Sequence, residues 1–456
     1  MANLKVSITT LGCSRNEVDS EELAGRLANE GWELISDPSE ADIAVVNTCG
    51  FIESAKSDSI NTLLEANGLK SNGKVQAVVA VGCMAERYGT ELAESLNEVD
   101  GIFGFDSYQE ISNRLKDVLA GVKTQAPKGE DRRKLLPISP IERNQSKAKV
   151  EFSRARLNDL PWAPLKIATG CDRRCAFCAI PQFRGAFTSR HPDEILAEAN
   201  WLSENGVSEL FLVSENTTSY GKDLADLTLL EKLLPKLSAI DGIERIRLSY
   251  LQPAEIRPSL LQAMVSVDKV LPYFDLSFQH ASSSVLRRMR RFGDSEKFLH
   301  LISQIRALDP SSGIRSNFIV GFPGETESDF ETLCDFVSKA EFDAVGVFPY
   351  SDEDGTEGLT LPGKISESEI DDRVQTLAKI VDLTTSRRAT KRIGEQVRVL
   401  IEDESEQEGR SDHQAPEVDG STSISPGSKG KYLAGSYLTA TVVGSDGVDL
   451  IVEPIK

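Results

Sequence analysis

Short apolar runs followed by polar turns and helix-spaced stretches recur from the start of the chain. Lys5-Val6-Ser7-Ile8, Asp42-Ile43-Ala44-Val45-Val46 and Ala77-Val78-Val79-Ala80-Val81 read as strands. The stretches EVDSEELAGRLANE, ESAKSDSINTLLEA and ERYGTELAESLNE that come after them read as helices. Strand alternating with helix predicts an N-terminal doubly wound parallel-sheet domain with right-handed crossovers. The loop after each strand then leaves the sheet at the same carboxyl edge, where ligand sites form.

Residues 123–160 are polar and dotted with proline, with no sustained period, and read as a linker that closes a first domain of 1–122. Alternation resumes over 161–388. Leu165–Ala168, Leu210–Val213, Ile246–Tyr250, Phe274–Phe278, Asn317–Val320 and Ala344–Phe348 supply six strands, too few to close an eight-stranded barrel, so an open (β/α)6 barrel is expected. Residues 389–456 alternate apolar positions with turn residues and predict a small antiparallel β-barrel.

Composition narrows the class. Hydrophobic residues make up 40% and charged residues 27%, which fits a globular protein and neither a disordered nor a membrane chain. The opening MANLKVSITTLGC has no basic and apolar leader, so a cytoplasmic location and no membrane partner are expected. A net charge of −20 and a pI near 4.8 repel phosphate backbones and attract cationic partners; nucleic acid is not the expected substrate.

Seven cysteines, an odd number, argue against a disulfide framework. Cys171, Cys175 and Cys178 form a C-x3-C-x2-C group just after a predicted strand and Gly170. Zinc would want a second C-x2-C or a histidine pair, whereas three thiolates suit a 4Fe-4S cube with one iron left open. Cys13, Cys49 and Cys83 each follow one of the first three strands, so the predicted sheet brings them to one edge as a second three-thiol set. The alternative is small apolar residues capping strands. Cys334, within a helical stretch, reads as a core thiol.

C-x3-C-x2-C with Phe177 before the last cysteine resembles the signature of the radical S-adenosylmethionine enzymes. The resemblance implies an open six-fold barrel whose cluster, held by Cys171, Cys175 and Cys178, chelates S-adenosylmethionine and cleaves it to a 5′-deoxyadenosyl radical. LGCSRNEVDSE, VVNTCGF and VGCMAERYG resemble the amino-terminal domain of the methylthiotransferases, which implies an auxiliary 4Fe-4S cluster on Cys13, Cys49 and Cys83. Two clusters and S-adenosylmethionine are thus the implied cofactors, facing one cavity. SENTTSYG, DLSFQHASSSVLRRMRR, RSNFIVGFPGET and FPYSDEDGT resemble further family segments at strand ends. Among these, Gly321, Pro323 and Gly324, with Phe177, are candidate cofactor-binding residues; the alternative for the glycines is a tight turn into a helix. Gln279 and His280 either face the cofactor or make satisfied loop contacts.

The last segment resembles the TRAM domain, an RNA-binding module in RNA-modifying relatives. Here, from Ile393 on, 12 acidic side chains oppose 5 basic ones, a balance that repels RNA and suits a basic protein surface. Together with GCDRRCAFCAIPQFRG and QAPEVDG, this resembles the branch that methylthiolates the β-carbon of an aspartate in small-subunit ribosomal protein twelve, a basic protein. The tRNA adenosine branch reads more like YGCQMN and EGCNKYCTFC. That C–H bond is unactivated, which is why a carbon radical rather than a base is needed. The resemblance also implies a sulfur donor and an electron donor such as flavodoxin or ferredoxin, and a monomer is expected. A non-catalytic metal-binding adaptor docked on the ribosome is the alternative from another class.

Overall fold

Valine, isoleucine and alanine crowd the first strands because both faces of the sheet they form are covered. The computed structural model describes residues 3–135, 153–416, 419–428 and 430–455. The chain divides into two compact units, one holding Met1–Asp159 with Thr169–Arg173 and Ala179–Thr188, the other Leu160–Ala168, Arg174–Cys178 and Ser189–Lys456.

In the first unit, β1 (Lys5–Thr10), β2 (Glu33–Leu34), β3 (Ile43–Thr48), β4 (Ala77–Val81) and β5 (Gly101–Ile102) form one sheet in the order β2-β1-β3-β4-β5. Every pairing is parallel. Alternate residues serve opposite faces: Val6, Ile43, Val45 and Val79 pack with Leu23, Leu27 and Leu115, while Ala44, Val46, Val78 and Ala80 pack with Leu63, Ala85 and Leu92. The strand order reverses between β1 and β3, the place where such sheets open a crevice at their carboxyl ends. Of the connection expected over 123–160, residues 136–152 lie outside the described residues. Its described flanks are tied down, Arg132 to Glu86 at 2.8 Å and Arg154 to the buried Glu21 at 2.5 Å.

In the second unit, β6 (Trp162–Lys166), β9 (Glu209–Val213) and β10 (Arg245–Leu248) form one parallel sheet, and β11 (Tyr273–Gln279), β12 (Gly313–Val320) and β13 (Ala344–Pro349) another. Two short strands, β7 (Ala168–Thr169) and β8 (Thr188–Ser189), follow β6 in the chain. Leu251 stitches the two sheets, donating to Asp275 O and accepting from Ser277 N at 2.9 Å each. Six strands therefore run side by side in chain order, and none of the described pairings joins β6 to β13. The helix Glu367–Lys391 packs along β13 and runs three residues past the boundary expected at 388.

The terminal barrel closes as β14 (Gln396–Asp403), β15 (Glu408–Ser411), β16 (Thr422–Ile424), β18 (Asp449–Pro454) and β17 (Tyr437–Asp446). All pairs are antiparallel except β16 with β18, which is parallel. Of the segment Gln414 to Gly420, residues 417–418 lie outside the described residues, as do two of the basic side chains, Lys429 and Lys456.

The barrel is bolted to the larger one by buried charge. Glu209, at the start of β9, accepts from Arg247 at 2.9 Å and from Arg410 at 3.2 Å through each oxygen, with Arg245 at 3.6 Å. Arg410 also meets Glu402 at 2.6 Å, and Arg398 pairs with Glu244 at 2.7 Å. Burial alone would raise the Glu209 carboxyl, but the three guanidiniums outweigh it and hold the group far below the ordinary carboxylate range. A carboxylate so depressed stabilises the fold above its unfolded pKa and loses that contribution only as pH falls through the folded value. Glu209→Gln is expected to lower stability at neutral pH by about 3–5 kcal/mol, because it strands buried arginines. Denaturant melts of the two proteins check this, and equal midpoints would contradict it.

Candidate functional site

β1, β3 and β4 are neighbours, and their ends are level: Thr10 pairs with Asn47, Asn47 with Val81, and Thr48 bridges Gly82. Cys13, Cys49 and Cys83 follow these positions within a few residues, so the parallel register delivers three thiols to one edge. Cys13 caps the helix Ser14–Asn29, Cys83 lies in the first turn of Gly82–Ser95, and Cys49 precedes Glu53–Gly68. Helix amino ends favour thiolates.

The loops touch closely enough to need glycine. A side chain at Gly12, whose φ is +94°, would meet Cys49 Cβ at 2.9 Å and Sγ at 3.0 Å; one at Gly50 would meet Met84 Cα at 2.7 Å. Asn16 ties the set together, donating to Leu11 O at 2.8 Å and Thr48 O at 3.3 Å while its Oδ1 accepts from Cys83 Sγ at 3.4 Å. Asn47 donates to Asn16 O at 2.8 Å.

Two guanidiniums reach the sulfurs, Arg15 Nε to Cys13 Sγ at 3.4 Å and Arg184 to Cys83 Sγ at 3.1 Å. Burial pushes all three thiols up. At Cys13 the charges of Arg15 and Arg184 win and bring it below a free thiol, whereas Cys49 stays raised and Cys83 rises to about 12. Cys83 also feels the charges of Cys13 and Cys49. The buried Tyr108 hydroxyl has no hydrogen-bond partner among the described residues and lies in the field of Asp19, Arg184 and Cys83. Among the described residues no three His, Cys, Asp or Glu side chains converge as a cage for a single metal ion. Three thiols at one strand edge are donors of the kind that an iron–sulfur cube takes, so the residues present fit one.

The boundary between the two units runs through the second cysteine loop. In the first unit, Cys171 N donates to Gly185 O at 3.1 Å and its sulfur accepts from Arg173 N at 3.4 Å. In the second, Cys178 N donates to Cys175 O at 3.1 Å, Ala176 N to Met289 O at 3.1 Å, and Arg291 lies 3.8 Å from Cys175 Sγ. Phe177 packs at the edge of an apolar cluster of Ala176, Val285, Met289 and Phe322. All three cysteines are half-buried.

Gly321 and Gly324 both hold a φ of +81°, and Pro323 between them is buried. A side chain would strike Ile370 at Gly321 and Arg288 at Gly324, so the close approach that demands glycine is to protein. His280 is fully buried, 3.4 Å from Glu325 Oε2 and accepting from Ser282 N at 3.0 Å; Gln279 holds a left-handed φ of +70°. In SENTTSYG, Asn216 and Ser219 both donate to Glu255 Oε2 at 2.8 Å. Cys334, on the helix Glu327–Ala340, is half-buried rather than a fully buried core thiol, and burial lifts it to about 11. Sequence reasoning missed Asn16, Asn47 and Arg184; the only local signal was their place beside cysteine motifs.

Comparison with known proteins identifies the family. The family described as uncharacterized protein family UPF0004 matches residues 5–104, the radical SAM superfamily 165–337, and the TRAM domain 393–455. A relative from Nocardioides sp., named ribosomal protein uS12 methylthiotransferase RimO, is 56% identical over 99% of this chain and 97% of its own. The chain belongs to the RimO family of methylthiotransferases. RimO relatives from Kineococcus radiotolerans and Streptomyces coelicolor are 54% and 53% identical, each over 99% of this chain and 97% and 96% of theirs. Membership makes the chain a radical SAM enzyme of the methylthiotransferase type. Among solved structures, the radical S-adenosylmethionine methyltransferase TsrM from Kitasatospora setae superposes with a TM-score of 0.55 at 13% identity, covering 76% of this chain and 72% of that one; the likeness is one of fold. No helix among the described residues is long and apolar enough to cross a membrane.

Gly12→Ala tests the RimO-family edge. The added methyl group is expected to displace the Cys49 loop and lower the iron retained after reconstitution. Iron analysis of the folded variant reads this; full iron would contradict it.

Proposed function

We propose that this chain replaces a β-hydrogen of an aspartate in ribosomal protein uS12 with a methylthio group. The observation that carries the reading is the second three-thiol set at adjacent strand ends, in addition to the one a radical SAM core requires. Cys171, Cys175 and Cys178 would hold one 4Fe-4S cluster, and Cys13, Cys49 and Cys83 the other, each with one iron free of protein ligands. When bound, the clusters and two molecules of S-adenosylmethionine would supply a carbon radical able to take hydrogen from an unactivated carbon, and the methylated sulfur that replaces it.

The chain's own residues hold and anchor. Asn16 and Arg184 fix the Cys83 sulfur, and Phe177 anchors the loop of Cys175 and Cys178 on an apolar cluster. Backbone at Gly321, Pro323 and Gly324 is our candidate for the adenosine contact. A reduced flavodoxin or ferredoxin and a sulfur donor in the cytoplasm complete the balance.

The choice of a basic protein over tRNA rests on the names of the RimO relatives and on charge. Arg410 is buried against Glu209 and Glu402, and Arg398 pairs with Glu244 at the surface, while Glu402, Asp403, Glu408 and Asp449, with Arg410 among them, line a recess of about 270 Å³ on the terminal barrel. A recess so lined favours a Lys or Arg side chain and disfavours a phosphate.

The test offers the reconstituted enzyme both uS12 and anticodon stem-loop RNA. A CH2S increment on an aspartate of the protein, with unmodified RNA, is expected from mass spectrometry. Modified RNA beside untouched protein would reverse the assignment.

A further inference from the structure

Arg184 comes six residues after Cys178 in sequence, yet it belongs to the compact unit of Cys13, Cys49 and Cys83. One nitrogen of its guanidinium donates to Cys83 Sγ at 3.1 Å and to Asn16 Oδ1 at 2.6 Å, and the other pairs with Asp19 at 2.7 Å. The Phe105 ring lies beneath it, 4.7 Å from centroid to guanidinium carbon. The side chains of Arg184 and Asp19 are only 6% and 5% exposed, so neither charge is screened by water. A pair that existed only to hold the fold would leave the sulfur alone; this one aims an N–H at it.

We propose that Arg184 is a positioning residue that sets the reduction potential of the cluster on Cys13, Cys49 and Cys83, with Asp19 as the counter-charge that moderates it. The proposal rests on the reading of those cysteines as a cluster site. One-electron reduction adds negative charge to a cluster, and hydrogen bonds to its sulfurs together with a nearby cation stabilise the reduced form and raise the potential. Asp19 acts with the opposite sign. Because Arg184 touches both Asn16 and Cys83, its fork also fixes where the sulfur points; lysine would keep the charge and lose that fork.

The experiment uses the full chain with Cys171, Cys175 and Cys178 changed to Ala, so that only one cluster remains, titrated with dithionite and followed by electron paramagnetic resonance. Asp19→Asn is expected to raise the midpoint potential. Adding Arg184→Met to Asp19→Asn is expected to lower it relative to Asp19→Asn alone, without stranding a buried carboxylate. If the double variant does not load iron, Arg184→Lys carries the test, with a lower potential expected than for arginine. Coincident potentials across these proteins would overturn the role of Arg184 while leaving the cluster in place. Absence of iron from the triple-alanine background would instead overturn the reading of the cysteines beneath it.

Discussion

Parallel pairing of β1, β3 and β4 with level ends is the constraint on which the first site depends. Three cysteines separated by 34 or more residues come to one edge only because each strand hands its chain to the same side of the sheet. Side chains alternate between two buried faces along these strands, so a slip of one residue would send each set into the wrong packing cluster. The register that protects the core therefore also fixes the thiols. Gly12 and Gly50 let the loops close to van der Waals contact, and Asn16 ties β1's loop to those of β3 and β4.

Charge does a second kind of work. The chain carries an excess of acid, yet the places where structure matters most are arginine-rich and buried. Glu209 gathers three guanidiniums where the terminal barrel meets the larger one, and Asp343 gathers Arg388 and Arg392 at the end of the long helix. The first of these clusters takes Arg410 of the terminal barrel out of solvent.

Much of this was legible in the sequence. Ala77–Val81 is a strand with the bounds its apolar run suggests, and the strands of β9 to β13 begin and end within a few residues of their patterns, because short apolar or aromatic runs between turn residues mark them. The cysteine spacing was equally plain. Arg184 was not: its contacts with Asn16 and Asp19 join positions more than 160 residues apart, and nothing local distinguishes it from the arginines at 173 and 174. The docking of the terminal barrel was hidden for the same reason, since Glu209 and Arg410 are 201 residues apart. A charge count along the chain cannot show that Arg410 is buried against Glu209 and Glu402.

The central claim is that the chain grips two iron centres with two separate sets of three cysteines. Anomalous diffraction at the iron edge, from anaerobically grown crystals of the reconstituted protein, tests it most directly. Two strong iron peaks are expected, one bonded to Cys13, Cys49 and Cys83 and one to Cys171, Cys175 and Cys178. A single iron peak, or a signal at the first set that appears only at the zinc edge, would contradict the account.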